Sequence, residues 1–159
     1  MIIQEDTRQQ AGKHNIKHAY FDGAGVGVVR SKLPFGDYAP VPPVSIDTKK
    51  DMDEIAQNIC GSSHKRFINE CKAARDAGCK LIILVENTVG IRDISQVHIW
   101  KNPRSCYSPN CVQGPRLQKA METISTRYGT EFRFCEPEEA GGIIIQIIEE
   151  YEQITRRGD

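Results

Sequence analysis

Two aspartates and a lysine lie close together in a short apolar stretch that prolines interrupt. They are Asp37, Asp47 and Lys49, in the sequence FGDYAPVPPVSIDTKK at residues 35–50. Side chains alternate along a strand, so Asp47 and Lys49 share one face, and a neighbouring strand at Asp37 would bring both carboxylates together. Carboxylate oxygens suit Mg²⁺ or Mn²⁺, and a nearby lysine can activate a water or stabilise charge on phosphate oxygens. The group predicts metal-assisted phosphodiester hydrolysis, and the alternative is a surface salt bridge without a function.

The elements that must position these residues form an α/β pattern. Apolar patterns predict six short strands, at residues 2–5, 26–30, 35–39, 44–48, 81–85 and 132–134. The continuous run LIILV, at residues 81–85, predicts that this strand is central in the sheet. Apolar positions at helical spacing predict helices from residue 51, over 63–77, through 117–128 and over 137–154. The prolines between residues 39 and 44 favour a hairpin-like connection at a sheet edge. We therefore predict one domain over residues 1–159, in which residues 87–113 form a variable or mobile loop.

The charge of the chain is balanced overall but unevenly distributed. There are 21 basic and 21 acidic residues, and residues 61–120 carry ten basic and four acidic ones. This middle third can form a positive surface for phosphates, although scattered solvated charges would give the same count. No apolar run reaches the roughly 18 residues of a membrane span, and the N-terminus lacks a signal pattern. We expect a cytoplasmic protein that does not bind membranes.

Three stretches resemble the XPF/MUS-type endonucleases, a branch of the PD-(D/E)XK nucleases. Gly36-Asp37-Tyr38, then Ile46-Asp47-Thr48-Lys49, then Asp53 follow the family signature G-D … E-R-K-x-x-x-D. Residues 5–8 (EDTR) resemble a strand that ends in D-x-R-E, and residues 81–86 (LIILVE) resemble a strand that ends in an acidic residue. Residues 132–148 resemble the last strand and helix of the family. The likeness keeps the order of the motifs over nearly the whole chain.

The resemblance implies a fold, an activity and a set of site residues. The fold would be restriction-endonuclease-like, with a central mixed β-sheet flanked by helices. The activity would be Mg²⁺- or Mn²⁺-dependent cleavage of branched or flapped DNA in repair or recombination. Asp37 and Asp47 would be metal ligands, and Lys49 an exposed catalytic lysine. Supporting residues would be Asp6, Glu86 and Asp53, and residues that contact DNA would be Arg8, Lys50, Lys65, Arg66 and Lys72.

The sequence departs from the family at two signature positions. Asp47 stands where the family has glutamate, and Thr48 stands where it has arginine. Aspartate can still bind a metal ion, whereas the threonine removes a charge. We also expect a stand-alone bacterial or phage-like form without a helix-hairpin-helix module. Surplus apolar residues of the last helix, Ile143 and Ile145, indicate a homodimer.

Other interpretations remain open. The chain could be a catalytically silent DNA-binding or scaffolding subunit, although intact Asp37, Asp47 and Lys49 argue against that. It could also be a sequence-specific restriction-type nuclease, with a base-reading element in residues 87–113. A zinc site at Cys106 and Cys111 is disfavoured because the spacing is irregular.

Overall fold

The computed structural model describes residues 2–10, 12, 14–39 and 44–157. These residues form six strands in one sheet and five α-helices. The strands are β1 (Ile2–Asp6), β2 (Gly27–Ser31), β3 (Tyr38–Ala39), β4 (Val44–Lys49), β5 (Lys80–Glu86) and β6 (Glu131–Cys135). The helices are α1 (Asn15–Gly23), α2 (Met52–Cys60), α3 (His64–Asp76), α4 (Gly114–Tyr128) and α5 (Ala140–Arg157). The predicted α/β fold, a mixed sheet flanked by helices, is confirmed.

The sheet has the strand order β2-β1-β3-β4-β5-β6. Strand β3 is antiparallel to both of its neighbours, and the remaining pairs are parallel. Tyr38 in β3 pairs with Glu5 on one side and with Ile46 on the other. The pair β3–β4 therefore lies in the middle of the sheet, and the expectation of a sheet edge was wrong because β1 covers the outer side of β3. The prolines on which that expectation rested lie outside the described residues.

Two apolar cores cover the two faces of the sheet. Helices α2, α3 and α4 pack on one face, and α1 and α5 pack on the other. Strand β5 serves both cores, because Ile83 and Val85 point to the first and Ile82 and Leu84 point to the second. This confirms the interpretation of its continuous apolar run as a central strand. None of the helices in the described ranges is long and apolar enough to cross a membrane.

Helix α1 was not predicted from the sequence. Its buried side chains are Lys17 and Phe21, so no apolar stripe marks it. The glycine-rich segment that follows contains Gly25 at φ +66°, a conformation that favours glycine, and the chain then enters β2.

Residues 87–113 contain more regular structure than the predicted loop. Two 3₁₀-helices, Ile94–Ile99 and Pro103–Cys106, lie within this segment. Val97 and Trp100 are buried in the core shared by α2, α3 and α4. The buried Asn102 side chain donates to the Val112 carbonyl at 2.8 Å and accepts from the Arg104 amide at 2.9 Å. Buried side chains and hydrogen bonds thus hold this segment in place.

Candidate active site

The topology brings the candidate residues to one edge of the sheet. Strands β1, β4 and β5 run in the same direction, so their carboxyl ends lie along this edge. Asp6, Lys49 and Glu86 are the last residues of these three strands. The antiparallel β3 begins at the same edge, and Asp37 directly precedes it. Four residues from separate parts of the chain therefore converge, as the carboxyl ends of strands do in α/β binding sites.

Asp47 and Lys49 form a buried ion pair on one face of β4. Asp47 is 5% exposed and Lys49 is 6% exposed, so the expectation of an exposed lysine was wrong. Lys49 Nζ lies 2.7 Å from Asp47 Oδ2 and 5.9 Å from the centre of the Phe67 ring. Apart from this ion pair, Asp47 Oδ2 has no hydrogen-bond partner among the described residues.

Asp37 is fixed by donors on both of its carboxylate oxygens. Its Oδ2 accepts from the Thr48 amide at 2.6 Å and from the Thr48 hydroxyl at 2.8 Å. Its Oδ1 accepts from Gln9 Nε2, and the Gln9 Oε1 in turn accepts from His14 Nε2 at 2.5 Å. The backbone of Asp37 also accepts from the Asp6 amide at 2.8 Å. The carboxylate therefore has a defined orientation at the edge of the sheet.

The glycine before Asp37 is required by close packing. Gly36 has φ +72°, and a Cβ atom there would lie 2.2 Å from Ser45 Oγ and 3.0 Å from the Ile46 carbonyl oxygen. Its amide donates to Glu70 Oε1 at 3.0 Å, which links β3 to helix α3. Only glycine fits this turn, so the Gly36-Asp37 pair is needed to place the Asp37 carboxylate.

These side chains line a cleft of about 500 Å³. Asp6, Arg8, Asp37, Asp47, Lys49 and Arg66 are among its walls. Burial raises the pKa of Asp47 well above its usual range; the Lys49 ammonium opposes that rise, and the Asp37 and Glu70 carboxylates add to it. Burial works to lower the pKa of Lys49, but the Asp47 carboxylate outweighs burial and raises it, so the lysine stays charged. Burial and the two neighbouring carboxylates thus disfavour the ionised form of Asp47.

The donor set fits a hard divalent cation. No three His, Cys, Asp or Glu side chains of the described residues form a ready-made metal site. Mg²⁺, however, keeps several waters and commonly uses one or two protein carboxylates. Asp37 and Asp47 supply two, and Asp47 Oδ2 has no polar partner among the described residues except Lys49, so its remaining lone pair is available to a metal ion. The residues present therefore fit Mg²⁺ or Mn²⁺.

Asp6 and Arg8 pair with each other at the rim of this cleft. Arg8 Nε donates to Asp6 Oδ2 at 2.6 Å, and its Nη2 donates to the Leu33 carbonyl at 2.9 Å. Burial works to raise the pKa of Asp6, but the hydrogen bonds from Arg8 outweigh it and lower the pKa. Arg8 is therefore held by the protein at a position where it also lines the cleft.

Asp53 and Glu86 lie outside the main cleft. Asp53, in the first turn of α2, accepts from Arg104 Nε at 2.8 Å and from Arg104 Nη2 at 2.9 Å. Glu86 forms an ion pair with Lys17, and both side chains line a second cavity of about 250 Å³. This cavity shares Asp37, Asp47 and Lys49 with the main cleft. Glu86 therefore borders the site, whereas Asp53 connects α2 to residues 87–113.

The basic residues expected to contact DNA differ in their positions. Arg66, on α3, lines both the cleft and the adjoining cavity. Lys50 is exposed and lines the adjoining cavity but not the cleft. Lys65 and Lys72 are exposed on α3. Helix α3 therefore presents positive charge beside the cleft.

Sequence reasoning missed four polar residues of this site. The first two, Gln9 and His14, lie between β1 and α1. Lys17 lies on α1, which was not predicted, and Glu70 lies on α3. One signal was available for Gln9, because it occupies the fourth position of the D-x-R-E motif, where the family has glutamate. The other three had no motif to mark them.

A comparison with family models decides the classification. The model of the ERCC4 domain matches residues 6–147. The chain belongs to the ERCC4 domain family.

Solved structures agree with the fold of this ERCC4 domain. XPF from Aeropyrum pernix is similar with a TM-score of 0.69 and 16% identity, over 96% of this chain and 65% of that chain. The same protein in complex with DNA is similar with a TM-score of 0.69 and 17% identity, over the same shares of the two chains. At this identity the likeness establishes the fold, and this chain spans less than two thirds of the length of each XPF chain. No curated protein sequence matches the chain.

Proposed function

We propose that this ERCC4 domain is a metal-dependent DNA endonuclease that hydrolyses phosphodiester bonds in branched or flapped DNA during repair or recombination. The observation that carries the proposal is the buried pair of Asp47 and Lys49 beside the Asp37 carboxylate in one cleft, where Asp47 Oδ2 has no polar partner except Lys49 within the described part of the chain. Burial and the nearby Asp37 and Glu70 carboxylates disfavour the ionised form of Asp47, and a bound divalent cation would favour it.

Asp37 and Asp47 would hold the cation, Mg²⁺ or Mn²⁺. When bound, the ion would supply Lewis-acid activation of a phosphate oxygen or a water. Thr48 and Gln9 hold Asp37 in place through hydrogen bonds. Asp6 would act as a supporting residue at the end of its strand, and Glu86 would border the site without contacting the cation.

Lys49 would stabilise negative charge on the scissile phosphate. Burial works to lower its pKa, but Asp47 raises it, which favours the ammonium form. An ammonium in a nearly buried position interacts with a phosphate more strongly than it would in water. The ring of Phe67 restricts the lysine on one side, which favours a single orientation.

DNA binding would depend on charge around the cleft. Arg66 borders the cleft, and Lys65 and Lys72 extend its positive surface along α3. Such side chains contact phosphates, so they position a duplex without reading its sequence. Lys50 and Arg8 would add contacts on either side.

The assembly we propose is a homodimer that forms through α5. Tyr20 lies against Gly141 and Gly142, so α1 covers part of the helix's first turn. Ile143 and Ile145 nevertheless remain only partly buried. A stable interface would bury about 1,200–2,000 Å² in total. Light scattering at micromolar concentration is expected to give twice the 17.9 kDa mass of the chain, and the monomer mass would overturn the dimer.

A panel of DNA substrates tests the activity. The purified protein is incubated with linear, nicked, flapped and four-way DNA, with Mg²⁺, Mn²⁺ or a chelator. We expect cleavage of the flapped or branched forms that stops when the metal is removed. Binding of DNA without cleavage of any substrate would support a silent DNA-binding subunit instead. Cleavage of linear DNA at one sequence would support the restriction-type nuclease.

A further inference from the structure

Helix α1 buries a lysine next to the candidate active site. Lys17 is 5% exposed, although most of the helix faces solvent. Its ammonium donates a hydrogen bond to Glu86 Oε1, and Glu86 is 7% exposed at the end of β5. Burial of two charges requires a reason, because each loses its hydration.

The ion pair is not needed to hold α1 against the rest of the fold. Phe21 of the same helix is fully buried in the core formed with α5 and already anchors α1. A buried ion pair contributes little more stability than well-packed apolar residues would. The position of the pair, on the wall of the cavity that adjoins Asp37 and Asp47, is the more informative fact.

The two acidic side chains approach this edge from opposite faces of the sheet. Asp47 pairs in register with Ile83, and Glu86 lies three residues further along β5, so alternation places it on the face that α1 and α5 cover. Each carboxylate has its own lysine there. Glu86 accepts a hydrogen bond from Lys17, whereas Asp47 has Lys49 at 2.7 Å and also lines the cleft together with the Asp37 and Glu70 carboxylates.

Lys17 therefore neutralises a single carboxylate, whereas Lys49 lies beside Asp47 in a cleft that Asp37 and Glu70 also line, so negative charge remains there for a cation. Without Lys17, Glu86 would be a buried carboxylate without a counter-charge, on the wall of a cavity that Asp37 and Asp47 also line. Such a group would attract a second divalent cation. We propose that Lys17 is the fixed counter-ion of Glu86 and restricts divalent-cation binding to Asp37 and Asp47, so that each chain binds one ion. This inference rests on the proposed metal site.

Binding of Mn²⁺ to the full chain, measured by calorimetry and by the electron spin resonance of bound Mn²⁺, tests it. The wild type is expected to bind one Mn²⁺ per chain. Lys17→Met removes the charge at nearly the same length, and we expect two Mn²⁺ with coupled spin signals. Lys17→Met/Glu86→Gln removes both charges and is expected to return to one. Lys119→Met, an exposed lysine on α4, is the matched control and is expected to bind one.

The outcomes separate the two ideas. One Mn²⁺ in both the wild type and Lys17→Met overturns the role of Lys17 and leaves the metal site intact. Two Mn²⁺ in the wild type also overturn it. No Mn²⁺ in the wild type overturns the metal site and, with it, the inference.

A second variant covers the case in which Lys17→Met does not fold. Glu86→Gln removes the carboxylate and leaves Lys17 as a lone cation. We expect it to bind one Mn²⁺. Its affinity for Mn²⁺ is expected to fall by less than about 10-fold, which is the usual loss when a residue that supports an ion is removed. Loss of Mn²⁺ binding would make Glu86 a ligand and overturn the proposal.

Discussion

Thr48 donates two hydrogen bonds to the same oxygen of Asp37, from its amide at 2.6 Å and from its hydroxyl at 2.8 Å. Because Thr48 directly follows Asp47 in β4, the orientation of one carboxylate is tied to the strand that carries the other. A carboxylate oxygen has two lone pairs, and Oδ1 and Oδ2 together offer about four acceptor positions, so these bonds leave room for a cation. The departure from the family at Thr48 thus replaces a charge with a local positioning contact.

Thr48→Val is expected to lower Mn²⁺ affinity about 10-fold, the usual effect of removing a contact that orients a ligand. The change removes the hydroxyl donor and keeps both the shape of the side chain and the amide donor. Calorimetry measures the affinity, and Thr48→Ser, which keeps a hydroxyl, is the control. Equal affinity in Thr48→Val and the wild type would show that Asp37 does not need the hydroxyl.

Lys49→Met is expected to reduce cleavage at least about 100-fold, because it removes the charge that faces the phosphate. It is also expected to lower the free energy of unfolding, since Asp47 would remain buried without the ammonium group of Lys49. Cleavage assays and urea unfolding measure the two effects.

The double variant Asp47→Asn/Lys49→Met separates these effects. It leaves no unpaired charge in the pair, so stability is expected to recover while cleavage stays lost. Recovery of cleavage together with stability would contradict both the metal-binding role of Asp47 and the role of Lys49 at the phosphate.

Most of the fold followed from local patterns in the sequence. Strands β4 and β5 and helices α2, α3 and α4 have apolar residues at clear strand or helix spacing, and each was predicted within a few residues. Alternation along β4 also predicted correctly that Asp47 and Lys49 share a face.

The remainder depends on contacts between distant parts of the chain. Gln9 reaches Asp37 across 28 positions, and Lys17 reaches Glu86 across 69. No local pattern encodes such pairs, and α1 has too few buried residues to show a helical stripe. Burial of Lys49 was missed for the same reason, since Phe67, which covers it, lies on a separate helix.

The ion pair between Asp53 and Arg104 is expected to make stability depend on pH. The hydrogen bond from Arg104 lowers the pKa of Asp53, so the folded state binds its proton less readily than the unfolded state. The ionised Asp53 carboxylate therefore stabilises the folded state above its unfolded pKa of about 4. This stabilisation is lost as the pH falls through the lower pKa of the folded state. Asp53→Asn is therefore expected to be less stable than the wild type at pH 7, by less than about 1 kcal/mol for a partly exposed pair.

Urea unfolding over a series from pH 7 downward measures this difference, which is expected to shrink as the pH falls through the lowered pKa of Asp53 in the folded state. Arg104→Met is the matched variant, with the same dependence. A difference that persists at low pH would assign the effect to packing.

Salt is expected to weaken DNA binding steeply, because the contacts are with phosphates. Arg66→Ala and Lys72→Ala are each expected to lower the slope of log affinity against log salt by about one, equally for unrelated sequences. Fluorescence anisotropy over a salt series measures it, with Lys119→Ala as the control. Binding that is insensitive to salt would indicate that the basic face contacts a protein.

Cleavage of a flapped duplex by the wild type and by Asp47→Asn, in Mg²⁺ and in chelator, tests the central claim most directly. Asparagine keeps the size of the side chain and removes the charge that would hold the cation, and unfolding curves confirm that both proteins are folded. We expect the wild type to cut in Mg²⁺ and to stop in chelator, and Asp47→Asn to lose at least about 100-fold of the rate. Cleavage by Asp47→Asn at the wild-type rate, or wild-type cleavage that persists in chelator, would contradict a metal-dependent nuclease site at Asp37, Asp47 and Lys49.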